Sequence, residues 1–231
     1  MKWGDNIVQK LEWNGEISNK EEKERIAKEI AKIAKDGDVI GCGSGSTSFL
    51  AAQEIAKRMK EEGLKITAIP TSKELNMVCN YLEIPTTTLI TSKPDWCFDG
   101  ADEVDKNGWL IKGRGAAMFN EKLIMLNAKK RYILVDKSKF VDKLGEKLAI
   151  PIECFPSALY SVKEKLFELG AKTATLRLAK KKDGPVITEN GNFIIDTEFE
   201  NITESLEKDL KCITGVIETG LFIGYNIEIM C

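Results

Sequence analysis

Short apolar segments alternate with helix-like segments through roughly the first two thirds of this 231-residue chain. The apolar segments are predicted to be strands at residues 39–41, 64–69, 87–90, 96–98 and 132–135. The intervening segments carry apolar residues at helical spacing and are predicted to be helices at residues 19–35, 46–62, 72–82 and 116–129. Strands that alternate with helices form a parallel sheet with both faces covered, so the sequence predicts an α/β fold.

The first helix follows an irregular lead-in at residues 1–18, and the part before residue 17 has no role that the sequence reveals. Ser18 and Glu21 have the spacing of a capping box, in which a serine caps the helix and an acid follows three residues later. We therefore predict that Ser18 begins the helix.

The order of elements changes in the last third of the chain. Strands are predicted at residues 150–154, 173–178, 193–196 and 215–218, and helices at residues 157–169 and 202–210. This β-α-β-β-α-β order is that of the ferredoxin-like unit. Asn190–Gly191 is a hairpin dipeptide, and Lys180–Lys182 is interpreted as a solvated hairpin tip. The tail Leu221–Ile229 alternates and is predicted to return to the first sheet, which gives one domain of residues 1–148 plus 220–231 and an insert of residues 149–219.

The chain contains no histidine, the commonest general base and metal ligand. A Ser-His-Asp or Cys-His mechanism is therefore excluded, and acid–base chemistry is left to other side chains. The 34 basic and 36 acidic residues give a net charge of −2 without a basic stripe, so we expect no nucleic-acid partner.

The apolar runs are too short to cross a bilayer, and the polar N-terminus lacks the apolar centre of a signal peptide. We therefore expect a cytoplasmic protein with no membrane partner. None of the six cysteines forms a C-x-x-C pair, which indicates buried or idle thiols and no zinc site.

A glycine-rich turn at residues 41–47 joins the first buried strand to the next helix. Glycines let successive N–H groups face one point, and a helix N-terminus adds positive potential, which together suit a phosphate. Ser44, Ser46 and Thr47 add hydroxyl donors, and this composition favours an anion site over a plain capped turn. Ser46 stands where a dinucleotide fingerprint needs glycine, and the lysine of a nucleotide-triphosphate loop is missing. A small phosphorylated metabolite is therefore the predicted ligand.

Four acids lie within residues 99–105, directly after the strand at residues 96–98. Ligands of open parallel sheets bind at the carboxyl ends of strands, where these acids fall. Their spacing does not match the calcium-loop pattern. A solvated acidic turn and a group that holds sugar hydroxyls are equally supported alternatives, with a divalent-metal site as a third.

A second glycine turn, Lys112–Gly115, precedes the helix at residues 116–129, and Glu121 lies near the first turns of that helix. Taken alone, Glu121 is an ordinary exposed glutamate. Taken together, two glycine turns, a carboxylate pair, a lysine and a glutamate suit an isomerase that moves a carbonyl between C1 and C2. A carboxylate can transfer the proton, and a lysine can stabilise the enediolate without a metal.

Five motifs occur in order: G-x-G-S-G-S-T, D-G-A-D-E-V-D, K-G-x-G-A-A followed by E-K, D-x-S-K at Asp136–Lys139, and E-N-G-N near Asn190. With them the chain resembles the type A ribose-5-phosphate isomerases from about Lys20 to the C-terminus. The resemblance implies a Rossmann-like doubly wound parallel sheet with an inserted ferredoxin-like α+β domain. It also implies interconversion of ribose 5-phosphate and ribulose 5-phosphate in the non-oxidative pentose phosphate pathway, with no cofactor and no metal. Family members are commonly dimers or tetramers, so a homodimer or homotetramer is expected.

By the same resemblance, Glu121 is the proton-transferring base and Lys112 stabilises the developing charge. Asp99 and Asp102 hold the sugar and assist ring opening. The other residues expected to bind the sugar phosphate are Ser44, Gly45, Ser46, Thr47, Gly100, Ala101, Gly113, Arg114, Gly115, Lys139 and Lys23. Within this set, Lys139 and Lys23 are expected near the phosphate.

Two positions depart from the family pattern: Arg114 stands where glycine is frequent, and Asn120 stands where arginine is frequent. Neither is a proposed acid or base, so their effect is expected on substrate affinity or on the subunit interface.

Other functions remain open on the same architecture. A sugar-phosphate sensor without chemistry would not need Asp99, Asp102, Lys112 and Glu121 together, which favours the enzyme. An amino-sugar phosphate deaminase is expected to use a histidine, which this chain lacks. A lactonase would hydrolyse a sugar lactone, which the isomerase should not do.

Overall fold

The computed structural model describes Trp13 and residues 16–231, so most of the lead-in at residues 1–16 lies outside the described part. The chain forms two compact units. The first unit comprises the described residues through Gly100 together with Leu123–Ser138 and Ile227–Cys231, and the second comprises Ala101–Lys122 and Lys139–Asn226. The boundaries expected at 148/149 and 219/220 stay a prediction. Within the described residues, no helix has both the length and the apolar character needed to cross a bilayer.

The elements are short and follow one another closely. The strands are β1 Val39–Cys42, β2 Thr67–Pro70, β3 Trp96–Asp99, β4 Glu103–Val104, β5 Leu110–Ile111, β6 Lys130–Leu134, β7 Ile150–Cys154, β8 Ala171–Leu176, β9 Phe193–Phe199, β10 Val216–Thr219, β11 Leu221–Phe222 and β12 Glu228–Met230. The α-helices are α1 Lys20–Ala31, α2 Ser46–Glu62, α3 Lys73–Tyr81, α4 Met118–Asn127, α5 Leu159–Glu168 and α6 Leu206–Lys211.

The first unit is built on a parallel five-stranded sheet in the order β12-β6-β3-β1-β2. Apolar residues spaced along α1 and α2, among them Ile26, Ile30 and Ile55, are buried in one core with Ile40 of β1 and Phe98 of β3. The helical spacing of these residues gives each helix one apolar face, and burying that face is the main driving force for packing. The predicted α/β fold with a parallel sheet is confirmed.

The second unit contains an antiparallel four-stranded sheet in the order β10-β7-β9-β8, with α5 after β7 and α6 after β9. When the four strands of this sheet are numbered in chain order, their order in the sheet is 4-1-3-2, which is the order of the ferredoxin-like motif that the sequence predicts. A separate antiparallel sheet joins β11, β5 and β4. The core includes Ile152 of β7, Val162 of α5, Ile195 of β9 and Leu210 of α6.

The predicted cap of α1 is wrong. The helix begins at Lys20, and the preceding Asn19 adopts a left-handed conformation (φ 50°) without a side-chain cap. Instead, Asn19 Nδ2 donates to Asp136 Oδ1 at 2.9 Å, and the Ser18 hydroxyl accepts from Lys23 Nζ at 3.2 Å. Both polar side chains near the helix start are therefore engaged in contacts that the local spacing does not reveal.

The predicted strand at residues 87–90 is also wrong. One isolated bridge joins Thr86 to Ala68, and the chain then turns, because Thr88 O accepts the N–H groups of Thr91 and Ser92. Ile90 is 97% exposed, so its β-branched side chain gains no burial from a strand.

The tail follows the prediction in part. Its last strand, β12, joins the first sheet parallel to β6 as predicted, but β11 pairs antiparallel with β5 in the second unit. The two-residue strands β4 and β5 were not predicted, since two residues carry no detectable alternation.

Candidate active site

The first glycine turn, residues 43–45, leads from β1 into α2 within the first unit. Gly43 N donates to Phe98 O at 2.8 Å, which fixes the turn against β3. Gly45 has a φ of 96°, in the left-handed region that favours glycine, and the helix begins at the next residue. The first N–H groups of a helix have no partner within it, so this turn presents donors suited to an anion.

Asp99 lies against this turn at the end of β3 and is 4% exposed. A Cβ atom on Gly43 would lie 2.0 Å from Asp99 Oδ1 and 2.5 Å from Asp99 Cβ. Only a residue without a side chain at position 43 permits this approach. Gly100 N donates to Asp99 Oδ1 at 2.8 Å, which orients the carboxylate.

Lys23 of α1 contacts the start of α2. Its Nζ donates to Ser46 Oγ at 3.2 Å and lies 3.6 Å from Asp136 Oδ2, and the side chain is buried. Burial would raise the pKa of Asp136, but hydrogen bonds from Ser138 and Asn19 and the charge of Lys23 outweigh it and lower the pKa. A buried cation thus lies at the helix N-terminus of the predicted phosphate turn.

The remaining hydroxyls of the turn differ in exposure. Ser44 is half-buried with its hydroxyl 3.0 Å from that of Thr71, and Thr47 is buried. Thr71 is a neighbour of this turn that the sequence did not single out, because it follows a different strand. Lys139 ends the 3₁₀ helix Lys137–Lys139 in the second unit and is half-buried.

The acids of residues 99–105 do not act as one cluster. Asp102 is half-buried in the second unit, and its Oδ2 accepts from Arg114 N at 3.1 Å. Glu103 is fully buried, and its carboxylate accepts three main-chain N–H groups of the loop at residues 145–148. Asp105 accepts from the main chain of Asn107 and Trp109 and so closes a turn. Among the described residues, no group of three or more His, Cys, Asp or Glu side chains is arranged to hold a metal.

Lys112 and Glu121 form a buried ion pair within the second unit. Lys112 Nζ lies 3.1 Å from Glu121 Oε2, and the two residues are 3% and 7% exposed. Glu121 occupies the first turn of α4, and its N–H donates to Ala117 O. Burying either charge alone would be costly, and the pairing offsets much of that cost. The structure therefore brings together the predicted base and the predicted cation, and Glu121 is not an ordinary exposed glutamate.

The glycine turn between these two residues has an unusual backbone. Gly113 has a φ of 105° and Ala116 has a φ of 60°, a left-handed conformation that is uncommon for alanine. A Cβ atom on Gly113 would lie 2.5 Å from Met118 Sδ. Such backbone strain costs on the order of 1–3 kcal/mol and persists where surrounding contacts enforce it. Asp102 accepts a hydrogen bond from this turn, and Ala101, which precedes Asp102 in the sequence, is buried. Gly115 of the turn is exposed.

Arg177 of the second unit supports this turn and was not predicted. Its Nη1 donates to Gly113 O at 2.9 Å and Arg114 O at 3.0 Å, while its Nε donates to Asp196 Oδ2 at 2.8 Å. The Arg114 side chain is itself largely exposed. Arg177 lies 63 positions from Arg114 of the turn, so local sequence patterns cannot reveal this contact.

Asn120 accepts a hydrogen bond from Asn190 at 3.2 Å, which connects the E-N-G-N motif to α4.

A cavity of about 510 Å³ opens next to this turn within the second unit. Its charged lining consists of Asp102, Arg114, Arg177, Lys180 and Asp196, and Pro151 and Leu178 belong to its apolar lining. This volume falls in the range of small-molecule sites. The arrangement can accept a polar ligand with hydroxyl groups and negative charge.

Burial raises the pKa of three cysteines, Cys42, Cys79 and Cys154, which makes them unsuited to act as nucleophiles. Burial raises the pKa of Cys79 to about 12 and that of Cys154 to about 11. Burial also raises the pKa of Cys42 well above its usual range, with further contributions from Cys79, Cys97 and Asp99. These three thiols are protonated at neutral pH and are therefore not candidate bases.

Comparison with known proteins identifies the family. Residues 67–231 match the model described as ribose 5-phosphate isomerase A (phosphoriboisomerase A). The chain belongs to this family. The ribose-5-phosphate isomerase A of Methanocaldococcus jannaschii is 47% identical over 209 residues, which cover 89% of this chain and 92% of that protein. The protein of the same name from Thermococcus kodakarensis is 43% identical over 206 residues, which cover 87% of this chain and 90% of that protein.

Solved structures of the isomerase family have the same fold. The structure of ribose 5-phosphate isomerase A from Methanocaldococcus jannaschii gives a TM-score of 0.88 at 44% identity, and the match covers 92% of this chain and 94% of that one. A D-ribose-5-phosphate isomerase in complex with phospho-erythronic acid gives a TM-score of 0.86 at 41% identity, covering 89% and 91%. The predicted family and fold class are confirmed, and the chain is an aldose–ketose isomerase.

Proposed function

We propose that this isomerase interconverts D-ribose 5-phosphate and D-ribulose 5-phosphate through an enediolate, with Glu121 as the base, in the non-oxidative pentose phosphate pathway. The observation that carries the proposal is the buried pair of Lys112 and Glu121, whose Nζ and Oε2 atoms lie 3.1 Å apart. A carboxylate and an ammonium are the two groups that a metal-free proton transfer next to a carbonyl requires.

The reaction needs one carbon-bound proton to move. Starting from the open-chain aldose, Glu121 removes the proton at C2, and the electron pair of that bond forms the enediolate. Lys112 Nζ stabilises the negative charge that develops on the oxygens. Glu121 then returns its proton to C1, the proton of the C2 hydroxyl passes to the C1 oxygen, and the carbonyl forms at C2 to give the ketose. The Glu121 carboxylate is regenerated, and no oxidant or reductant is consumed.

Burial supports this assignment of the base. Glu121 and Lys112 are 7% and 3% exposed, so little water competes for the carboxylate or screens the ammonium. Electrostatic stabilisation is strongest where water is excluded and the donors are already oriented. Main-chain contacts fix both groups before substrate arrives: Lys112 N donates to Gly220 O at 2.9 Å, and Glu121 N donates to Ala117 O at 3.0 Å.

Asp99 and Asp102 are proposed to bind sugar hydroxyls and to assist ring opening. Asp99 is oriented by Gly100 N, and Asp102 lines the cavity of the second unit beside Arg114. Carboxylates accept hydrogen bonds from hydroxyls and can take the proton of the C1 hydroxyl as the ring opens. Gly100, Ala101, Gly113 and Gly115 are proposed to contribute main-chain contacts.

The first glycine turn is proposed to bind the phosphate. Gly45, Ser46 and Thr47 lie at the N-terminus of α2, and Lys23 adds a buried positive charge beside Ser46. Phosphate is favoured where helix N–H groups, hydroxyls and a cation coincide. Ser44 and Lys139 complete the proposed set. The related isomerase that binds phospho-erythronic acid supports a phosphorylated ligand, and the carboxylate of that acid carries negative charge as the enediolate does.

The test is an assay of ribose 5-phosphate turnover in excess EDTA, with Glu121→Gln and Lys112→Gln beside the wild type. Loss of a general base costs on the order of 100- to 10,000-fold in rate. Glu164→Gln, an exposed change on α5, is the matched control. Turnover in EDTA that collapses in Glu121→Gln supports the mechanism. Binding without turnover in the wild type would indicate a sensor, and full activity in Glu121→Gln would remove Glu121 as the base.

A second assay separates the enediolate from a direct hydride shift. In deuterium oxide, a base that exchanges its proton with solvent introduces deuterium at C1 of ribulose 5-phosphate. Prolonged incubation at equilibrium should therefore label the sugar, as measured by mass spectrometry. Complete absence of label after many turnovers would contradict the enediolate route.

A further inference from the structure

Lys122, the residue after Glu121, is buried, and its ammonium group is surrounded by hydrogen-bond acceptors. Lys122 is 3% exposed, and four oxygen atoms accept from its Nζ. They are Glu207 Oε1 at 2.6 Å, Glu218 Oε1 at 2.9 Å, Thr219 O at 3.0 Å and Leu221 O at 2.7 Å. The Nζ also lies 4.5 Å from the centre of the Phe222 ring, within the range of a cation–π interaction.

The charges around Lys122 are balanced. Glu218 Oε2 accepts from Lys211 Nζ at 3.0 Å, so two carboxylates face two ammonium groups. Glu207 is further held by the Tyr225 hydroxyl and by a main-chain N–H, each at 2.8 Å. A buried polar network whose members are all satisfied is rigid, and it specifies one arrangement.

The segment Thr219–Phe222, here called the tether segment, holds Lys112 and also Lys122, the residue that follows Glu121. Gly220 O accepts from Lys112 N at 2.9 Å, while Thr219 O and Leu221 O accept from Lys122 Nζ. The Phe222 ring lies 5.7 Å from Lys112 Nζ and 4.5 Å from Lys122 Nζ. Gly220 is needed for this approach, because a Cβ atom there would lie 2.2 Å from Lys112 O.

Neighbouring residues of a helix point about 100° apart around its axis. Lys122 therefore contacts the tether segment while Glu121 contacts Lys112, and the first turn of α4 is fixed from two directions. Rotation or sliding of this turn would change the distance between Glu121 and Lys112, and Lys122 opposes both movements.

We propose that Lys122 is a positioning residue for the reaction: by binding the tether segment and Glu207, it holds Glu121 at its working distance from Lys112. The inference rests on the proposed role of Glu121 as the base. Lys122 does not contact the reacting atoms, and its effect passes through the placement of Glu121.

The test compares Lys122→Met with the wild type in steady-state turnover of ribose 5-phosphate. A displacement of about 1 Å at a reacting group can cost on the order of 100-fold in rate. We therefore expect kcat to fall by about 10- to 100-fold while KM stays near the wild-type value. In a Glu121→Gln background, Lys122→Met should produce little further loss, since residues that act through one group are not additive.

Lys211→Met is the matched control. It removes the other ammonium that binds Glu218, but it has no contact with α4 among the hydrogen bonds described above. Both variants should lower the melting temperature, and only Lys122→Met should lower kcat below the melting range. If Lys122→Met does not fold, the double variant Lys122→Met with Glu207→Gln takes its place in every assay. The double variant removes one charge of each sign and so leaves no unpaired buried charge from this ion pair.

The outcomes separate this inference from the proposed function. Wild-type kcat in a folded Lys122 variant would overturn the positioning role while leaving Glu121 as the base. Losses that multiply in the double variant with Glu121→Gln would also overturn it, because Lys122 would then act independently. Full activity in Glu121→Gln alone would instead overturn the proposed base.

Discussion

Glu103 is predicted to stabilise the fold and to take no part in the reaction, although it lies in the motif D-G-A-D-E-V-D. Its Oε2 accepts from Gly145 N at 2.7 Å, and its Oε1 accepts from Lys147 N at 2.7 Å and Leu148 N at 2.8 Å. The side chain is 0% exposed. The informative change is Glu103→Gln, which keeps the size and removes one acceptor.

The magnitude follows from these three contacts. If the amide oxygen takes the Oε1 position, two hydrogen bonds remain and the NH₂ group faces the N–H of Gly145. Losing one hydrogen bond to a charged group costs about 1.5–3 kcal/mol, and the other two weaken as the charge is removed. We expect the free energy of unfolding to fall by about 3 kcal/mol. That loss is tolerable for a domain whose total is about 5–15 kcal/mol.

Urea denaturation followed by circular dichroism measures this loss, and kcat/KM is measured where the variant is fully folded. Glu146→Gln, an exposed change in the same loop, should alter stability by no more than about 0.5 kcal/mol. A loss below about 1 kcal/mol for Glu103→Gln would refute the hydrogen-bond reasoning. A large fall in kcat/KM at unchanged stability would show that Glu103 acts on the substrate.

Two further predictions concern buried carboxylates. Gly43→Ala would place a Cβ atom 2.5 Å from Asp99 Cβ, and no rotamer change relieves this collision. We therefore expect kcat/KM and the melting temperature both to fall. Wild-type values for both would show that the backbone of the turn can shift to admit the added atom. Burial raises the pKa of Glu153 despite hydrogen bonds from Asn192 and Thr188, so the folded state loses stability as pH rises from the ordinary glutamate value to the raised one. Glu153→Gln should remove this loss, and equal pH dependence of unfolding in both proteins would contradict it.

Gly45→Ala is the comparison for the first of these changes, since nothing lies within 4 Å of its added Cβ atom and only its φ of 96° causes strain. Comparing the two alanine variants separates a steric collision with Asp99 from backbone strain on the same turn. The pH series needs no second variant, because the glutamine keeps the carbonyl that Asn192 and Thr188 bind at Glu153 Oε1.

Local signals predicted well wherever the decisive residues are neighbours in sequence. Helix α2 runs over the predicted residues 46–62 because glycine precedes it and Gly63, with a φ of 72°, ends it. Strand β7 matches its prediction because Ile150–Cys154 is a short run in which every residue is buried. The Ser18 cap failed because Lys23 and Asp136 compete for the polar groups at the start of α1.

The contact between Lys112 and Glu121 could be anticipated from the sequence, whereas the side chains that support it could not; the roles of both residues stay predictions. Lys112 and Glu121 were predicted as a set from a glycine turn and a following helix, and the structure brings them within 3.1 Å. Lys122 follows Glu121 in the sequence, but its partners lie 85 to 99 positions away. Arg177 likewise binds a turn 63 or 64 positions away. Single-sequence patterns hold no information about such distant pairings, which arise only when the sheets assemble.

The division of the chain has a consequence for its synthesis. The first unit draws on three separate stretches of sequence, and its edge strand β12 comes from residues 227–231. A ribosome delivers these residues after the whole second unit, so the first sheet waits with the edge of β6 unpaired. Unpaired strand edges invite association between chains. The second unit is therefore complete in sequence before the first, and the first unit cannot finish folding until residues 227–231 emerge. The nascent protein should therefore depend on chaperones more than a chain with two sequential domains.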